Sequence, residues 1–542
     1  MKTEVPVKKY DAIVIGAGHN GLVTAAYLAK AGYRTLVLER RPLLGGVASS
    51  EEIFPGFHVD FGSFDAGLFR PEVLADLNLE KNGLEFIDSP AVALAPQPDG
   101  RSLTIWADRA RTQTEIARFS QQDADRYPAF LQRFERMASL VAATMTLSPP
   151  AIPDYRFAEL MPWLKVAMKL KRLGKQEMME FLRLLPMPVT VFLDEWFESP
   201  ALKGLLGSVG VRGSMQGPRA SGTAFMLLYQ ATVGGVKGRG GRRSVRGGMG
   251  QLAEALAAAA RQSGADIRTG TGVAQIVLQS ERAVGVLLET GEQISTRVII
   301  SNASPRHTFF QLVGADKLEV QFVREVKNIR YRGCLVRVIL ALDGLPRFTA
   351  MTSETGVEVQ RLASRISICP DLDYLERAYD EAKYGNFSRQ PYLDIAIPTI
   401  LDPSLAPPGK HLMLINMQYA PYHLAEGDWD RKRDTLGKAV IETLETYAPG
   451  IRDLIIHSVV LTPLDLERRF GLPEGCIFHG QMGLDQLLFM RPVPGYGQYR
   501  TPIDNLFLCG AGTHPGGGVT GAPGYNAARE VIRELKSGRE DR

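Results

Sequence analysis

The chain has 542 residues, more than one core usually holds, so two domains interleaved in sequence are expected. Apolar residues make up 45% and charged residues 23%, and 63 basic against 59 acidic groups leave a net charge of +4, which gives no global field for nucleic acid. The four cysteines, Cys334, Cys369, Cys476 and Cys509, are scattered without a C-x-x-C pair; this argues against a disulfide framework, a zinc site or a dithiol redox centre and fits a reducing compartment.

Met1 to Tyr10 precede the first strand and carry acid and lysine but no apolar secretory core. No apolar run approaches the roughly 18 residues of a spanning helix. A cytoplasmic protein is expected, one that meets a membrane from the side if it meets one.

The first strand, Ala12 to Ile15, leads through Gly16, Gly18 and Gly21 into a helical pattern from Leu22 to Ala31. In this context G-x-G-x-x-G reads as a dinucleotide-binding turn. Its first glycine allows the tight turn, the second lets backbone approach a pyrophosphate, and the third lets helix pack on strand. A second strand, Arg34 to Leu38, ends in Glu39, at the spacing of a carboxylate that grips a ribose hydroxyl. The Gly45–Gly46 doublet lets another loop run over the same pyrophosphate, which favours FAD over NAD. Phe57 to Ser63 alternates as a strand with a tight end at Gly62.

From about Leu84 to Val233 the pattern changes to hydrophobic helices and proline-broken loops. Trp163, Val166, Leu170 and Leu173 recur at helical spacing beside a basic stripe of Lys165, Lys169 and Arg172. Such a helix either packs on the core with a solvated basic face, the commoner case, or lies on an anionic membrane. The glycine- and arginine-rich stretch 234–250 reads as a linker back to the cofactor domain, and its Lys237, Arg239, Arg242, Arg243 and Arg246 either form a solvated loop, the commoner case, or meet an acidic or amphiphilic ligand. There a helix from about Met249 to Gln262 precedes strands at Asp266 to Arg268, Val273 to Gln279, Ala283 to Leu288 and Thr296 to Ser301. From His307 to about Pro473, strands at Leu335 to Leu342, Tyr392 to Pro398 and His411 to Tyr419 alternate with helices such as Lys432 to Tyr447, which suits a half-buried sheet roofing a substrate cavity. Finally Leu506 to Cys509 runs into a glycine-rich turn and a helix from about Gly524 to Lys536, whose amides and dipole can cradle a flavin.

With these residues in hand, the sequence resembles the phytoene desaturase-related branch of the FAD-dependent oxidoreductases, and within it the family named pyridine nucleotide-disulfide oxidoreductase domain-containing protein 2. The resemblance spans nearly the whole chain. It rests on Gly-Ala-Gly-His-Asn-Gly-Leu at 16–22, Gly-Gly-Met-Gly at 247–250, Leu-Asp-Pro-Ser-Leu-Ala-Pro-Pro-Gly at 401–409 and Asp-Gln-Leu at 485–487. Arg-Pro-Val-Pro at 491–494, Tyr-Arg-Thr-Pro at 499–502 and Thr-His-Pro-Gly-Gly-Gly-Val at 513–519 complete it.

The resemblance implies an α/β fold: a Rossmann-like FAD-binding domain of glutathione-reductase type, interleaved with an α+β substrate domain that has a mixed sheet and a helical part. The expected division is FAD-binding at 1–83, 241–306 and 475–542, and substrate-binding at 84–240 and 307–474. FAD contacts are implied at Gly16, Gly18, Asn20, Gly21, Glu39, Arg40, Gly45, Gly46, Val273, Gly510, Gly512, Gly517, Gly518, Val519 and Thr520. Val47 stands where many related flavoproteins carry a basic residue. Ala511 stands where amine-oxidase relatives place an acid, a departure shared with carotenoid desaturases that counts against an amine oxidase.

A flavin takes hydride from carbon that bears no ionisable group, so the expected reaction adds or removes hydrogen on an apolar, isoprenoid or carotenoid-like substrate, as desaturase, saturase or ketolase. A long apolar tunnel should end at the flavin ring, with His514 and Asp60 as the nearest polar candidates. No second nucleotide fingerprint follows a strand, so electrons are expected to leave to oxygen, a quinone or another acceptor. The competing readings are an amine or amino-acid oxidase, which needs an aromatic cage or a carboxylate-binding arginine, and an FAD-bound interaction protein with little catalysis. No catalytic residue declares itself, and no metal site is expected.

Overall fold

The computed structural model describes residues 10–152, 155, 157–232, 243–351 and 356–540. Lys237, Arg239 and Arg242 of the basic linker, and the residues before Tyr10, lie outside them.

Short, fully buried strands form the first sheet. Ala12–Ile15, Thr35–Leu38 and Val298–Ser301 are apolar on both faces, the pattern of central parallel strands covered on two sides. The order is Leu506–Leu508, Val298–Ser301, Ala12–Ile15, Thr35–Leu38, Asp266–Arg268, all parallel. The helix His19–Lys30 packs on the helices Gly250–Gln262 and Ala522–Glu540. Small residues bring them close: a Cβ on Gly524 would lie 2.2 Å from Asn20 O. A three-stranded antiparallel sheet, Val273–Gln279, Arg282–Leu288 and Gln293–Ser295, follows the fifth strand in sequence.

The second large sheet is mixed and seven-stranded. Its order is Ile455–Leu461, Leu335–Leu342, His411–Gln418, Tyr392–Ala396, Arg365–Ile368, Ala91–Pro96, Ser102–Trp106. Only Arg365–Ile368 with Ala91–Pro96 is a parallel pair. The strands Phe86–Asp88, Ala91–Pro96 and Ser102–Trp106 correct the expectation of helices and loops throughout 84–233. Ala91-Val-Ala-Leu-Ala-Pro is alanine-rich, with little β-propensity of its own, and is extended because tertiary pairing holds it. The rest of that segment is helical: Gln121–Met145, capped by Ser120, packs Phe130 and Phe134 against Phe192 beside the helix Pro200–Val211.

The helix Phe157–Arg172 turns Trp163, Val166 and Leu170 half inward, and Trp163 Nε1 donates to Ser148 O at 2.9 Å. It also bears a second apolar stripe that the spacing of the first had hidden. Phe157, Met161, Leu164 and Met168 face out, Phe157 with 77% of its surface exposed. No helix among the described residues is long and apolar enough to cross a membrane.

Candidate active site

At the C-terminal end of Ala12–Ile15 the chain turns at Gly16, whose N–H donates to Leu38 O at 2.8 Å, and enters its helix with Gly18 as N-cap. No side chain caps that helix and no acid lies in its first turn, so the first amides and the positive dipole end stay open to a phosphate. Gly21 is required by packing, since a Cβ there would lie 2.1 Å from Gly16 O. The second glycine loop rests on the first. Gly45 has φ +99°, where glycine is favoured, and its N–H donates to Ala17 O at 2.9 Å; a Cβ on Gly46 would lie 3.4 Å from Gly18 Cα.

Glu39 is buried at the end of the second strand. Its Oε2 accepts the Ala17 N–H at 2.7 Å and its Oε1 the Arg41 N–H at 2.9 Å. Each carboxylate oxygen has a further lone pair, so Glu39 can brace the turn and still receive a hydroxyl. Arg41 ties the second glycine loop down through Gly46 O, Ser49 Oγ and Glu51.

These elements open into a cavity of about 1240 Å³. Gly16, Gly18, Asn20, Glu39, Arg40, Gly45, Gly46, Val273, Gly518 and Val519 are on its wall. Gly21, Gly510, Gly512, Gly517 and Thr520 are not. Gly510 packs on Asn302 O, Gly512 on Pro305 and Gly517 on Phe478, and Thr520 O accepts the Arg70 N–H, so this group shapes the closing turn. His514 and Asp60 are also off the wall. His514 Nε2 lies 2.9 Å from Thr144 O, and Asp60 Oδ1 accepts from Ser50 Oγ and Met249 N–H.

A dinucleotide fits the polar end. The uncapped helix amides, the glycine cradle and Glu39 converge there, and two buried polar atoms of wall residues, His19 Nε2 and Asn20 Oδ1, have no hydrogen-bond partner among the described residues.

The other walls are of two kinds. One arm is apolar, with Leu131, Phe134 and Ala138 from Gln121–Met145, Leu205 and Val209 from Pro200–Val211, and Ile477. The other is a polar corner of Arg212, Arg365, Ser367, Asn416 and Asp65, so the wall is not the uniformly apolar tunnel expected. Arg365 forks onto Asp394 and reaches Asp65 at 3.3 Å. Burial works to raise the Asp394 carboxyl, but Arg212, Arg365 and the hydrogen bonds it accepts prevail and hold it at about 2. Burial lowers three wall histidines: His19 to about 4 against a hydrogen bond to the Gly518 backbone, His479 to about 3 with help from Arg491, and His307, with help from Arg40. All are uncharged at neutral pH, so the site holds no histidine cation.

Asn302, His479, Arg212 and Arg365 are wall residues that sequence reasoning did not single out. Asn302 had a readable signal, a polar residue just past the C-terminal end of a buried strand. The arginines had none, because only tertiary packing brings Arg212, at a helix end, to Arg365 on its strand.

Fold and cavity together define an FAD-dependent oxidoreductase. The family described as flavin containing amine oxidoreductase matches residues 21–532. Over 98% of its length the chain is 39% identical to the pyridine nucleotide-disulfide oxidoreductase domain-containing protein 2 of Rattus norvegicus, covering 94% of that protein. It is 27% identical to a limonene dehydrogenase polypeptide of Castellaniella defragrans over 98% of the chain and 95% of the relative. It is 26% identical to the neurosporene-forming phytoene desaturase of Cereibacter sphaeroides over 97% and 94% respectively. The chain therefore belongs to the flavin containing amine oxidoreductase family, with the pyridine nucleotide-disulfide oxidoreductase domain-containing protein 2 relatives. Despite that name its four cysteines are free and buried, with no dithiol among them.

Proposed function

We propose that this flavoprotein adds or removes hydrogen on an apolar substrate of isoprenoid or carotenoid-like kind, with electrons passing on to oxygen, a quinone or another acceptor. The observation that carries this reading is the apolar arm of Leu131, Phe134, Leu205, Val209 and Ile477, which opens into the same cavity as the glycine loops. FAD supplies the hydride chemistry. The FAD-contact residues are part of the proposal: the amides after Gly18 hold the pyrophosphate, Glu39 receives a ribose hydroxyl, and Gly45 and Gly46 keep the second loop close. The apolar arm orients the chain of the substrate and excludes water from the reacting carbon. The wall histidines, kept neutral by burial, add no charge to that region.

The two large sheets are, in this proposal, the cores of the interleaved domains 1–83 with 241–306 and 475–542, and 84–240 with 307–474. Contact with an anionic membrane surface is proposed at the exposed stripe Phe157, Met161, Leu164 and Met168, which lies beside the exposed Lys165, Lys171 and Arg172.

The relatives named for limonene and phytoene support the isoprenoid reading; the arginines in the polar corner favour the amino-acid oxidase alternative. Anaerobic mixing of holoenzyme with phytoene or limonene in detergent, and separately with amines and amino acids, separates the two. Bleaching of the flavin by the hydrocarbons, or reoxidation of reduced flavin by a polyene, is expected. Bleaching by amines or amino acids alone overturns the proposal.

A further inference from the structure

The polar corner is built across the mixed sheet. Arg337 pairs with Asn416, Asn416 with Asp394, and Asp394 with Ser367, so one polar residue from each of four adjacent strands stands in a single cross-strand row. Directly opposed residues share a face, and Asn416 and Ser367 place that face on the cavity.

Within the corner the acids are already engaged. Asp394 accepts from Arg365 Nε and Nη2 and from Asn416 Nδ2, and Asp65 pairs with Arg365 Nη1. Arg212, at the end of Pro200–Val211, is different. Its Nε lies 3.4 Å from Asp394 Oδ2 without forming a hydrogen bond, is shut off from solvent, and has no acceptor. No other hydrogen bond of its guanidinium is formed among the described residues, yet its side chain is 18% exposed and on the cavity wall. Arg337 repeats the shortage of acceptors: Nε and Nη2 donate to Phe61 O and Gly62 O, and Nη1 has no acceptor among the described residues.

A guanidinium that is ion-paired with Asp394 but donates no hydrogen bond among the described residues suits a planar, two-oxygen acceptor that meets its fork. We infer that the substrate of this site is an apolar chain ending in a carboxylate, and that Arg212 holds that head group at the polar corner while the chain lies in the apolar arm. The inference rests on the apolar-substrate reading and narrows it. The Arg365–Asp394–Asp65 group is one negative charge in excess, which keeps Arg212 in place without using its donors.

Calorimetric titration of the holoenzyme with decanoate, decan-1-ol and hexanoate tests it. The wild type should bind decanoate about 10- to 100-fold more tightly than decan-1-ol, the range of a charge-assisted pair. Arg212→Met should bring that ratio close to one and Arg212→Lys should keep part of it; flavin stoichiometry reports whether each variant is folded. Asp394 keeps three donors without Arg212, so the variant leaves no orphaned acid. A wild type that binds acid and alcohol alike, or a preference that survives in folded Arg212→Met, overturns the inference. Hexanoate separates the two levels: if decanoate binds no better than hexanoate, the apolar arm reading fails, whereas a chain-length effect without acid preference removes the head-group assignment alone.

Discussion

Replacing Glu39 by glutamine changes one atom and a charge at a buried position, and its effect divides into two measurable parts. In the wild type both carboxylate oxygens accept backbone N–H groups, from Ala17 at 2.7 Å and Arg41 at 2.9 Å. The amide keeps one acceptor and presents a donor to the other N–H, and an unsatisfied buried donor costs about 1–3 kcal/mol. That part falls on the turn and appears in the apoprotein as a lower Tm. The second part belongs to FAD. A ribose hydroxyl that loses a charged acceptor gives up about 1.5–3 kcal/mol, which is roughly a 10- to 150-fold weaker Kd. FAD titration of apoprotein, followed by quenching of flavin fluorescence, gives Kd for wild type and variant, and thermal unfolding of the same apoproteins gives the first part separately. A lower Tm with a Kd within about threefold of wild type would refute the assignment, because Glu39 would then only brace the loop.

Gly21→Ala sets a Cβ 2.1 Å from a backbone oxygen that cannot step aside; overpacking of about 1–3 kcal/mol should lower apoprotein Tm and flavin incorporation together, and an alanine variant with normal flavin content counts against the close approach. Acid should weaken the fold before the carboxylates titrate. His19, His479 and His514 fall from the ordinary 6.5 to about 4, 3 and 4 through burial, so between pH 6.5 and about 4 the unfolded chain binds protons that the folded chain refuses. Stability is thus present above 6.5 and lost as pH drops, at about 1.4 kcal/mol per pH unit for each such group. His514 is away from the cavity, so His514→Gln should flatten the dependence of Tm on pH in that window without loss of flavin, and an unchanged slope would contradict it. Serine at Phe157, Leu164 and Met168 together should reduce co-sedimentation with anionic vesicles while leaving the flavin spectrum intact; equal pelleting of variant and wild type sinks the membrane-facing assignment.

The glycine-loop end of the molecule was legible in the sequence because its physics is local. Gly16, Gly18 and Gly21 sit within six residues between an apolar strand and a helix, and each answers a steric demand of its neighbours. Glu39 follows from strand length, and Gly45–Gly46 from turn chemistry. The α/β class and the FAD cofactor followed from these short-range constraints. The helix Phe157–Arg172 shows where that legibility stops. Its helical spacing was readable, but a helix with apolar residues on two faces does not say which one the core takes; packing put Trp163 and Val166 half inward and left Leu164 and Met168 outside.

The polar corner lies wholly beyond the sequence. Arg212, Arg337, Ser367, Asp394 and Asn416 are spread over some 200 positions, and none belongs to a local pattern that reads as a site. Register across four strands turns four of them into a row, and a helix end brings Arg212 to it. The sequence by itself determined that a dinucleotide is cradled, since that needs only backbone conformation and close approach within one βαβ unit. Which side chains line the rest of the cavity was decided by tertiary structure alone, because strand pairing and charge partners depend on contacts between segments that no local pattern encodes.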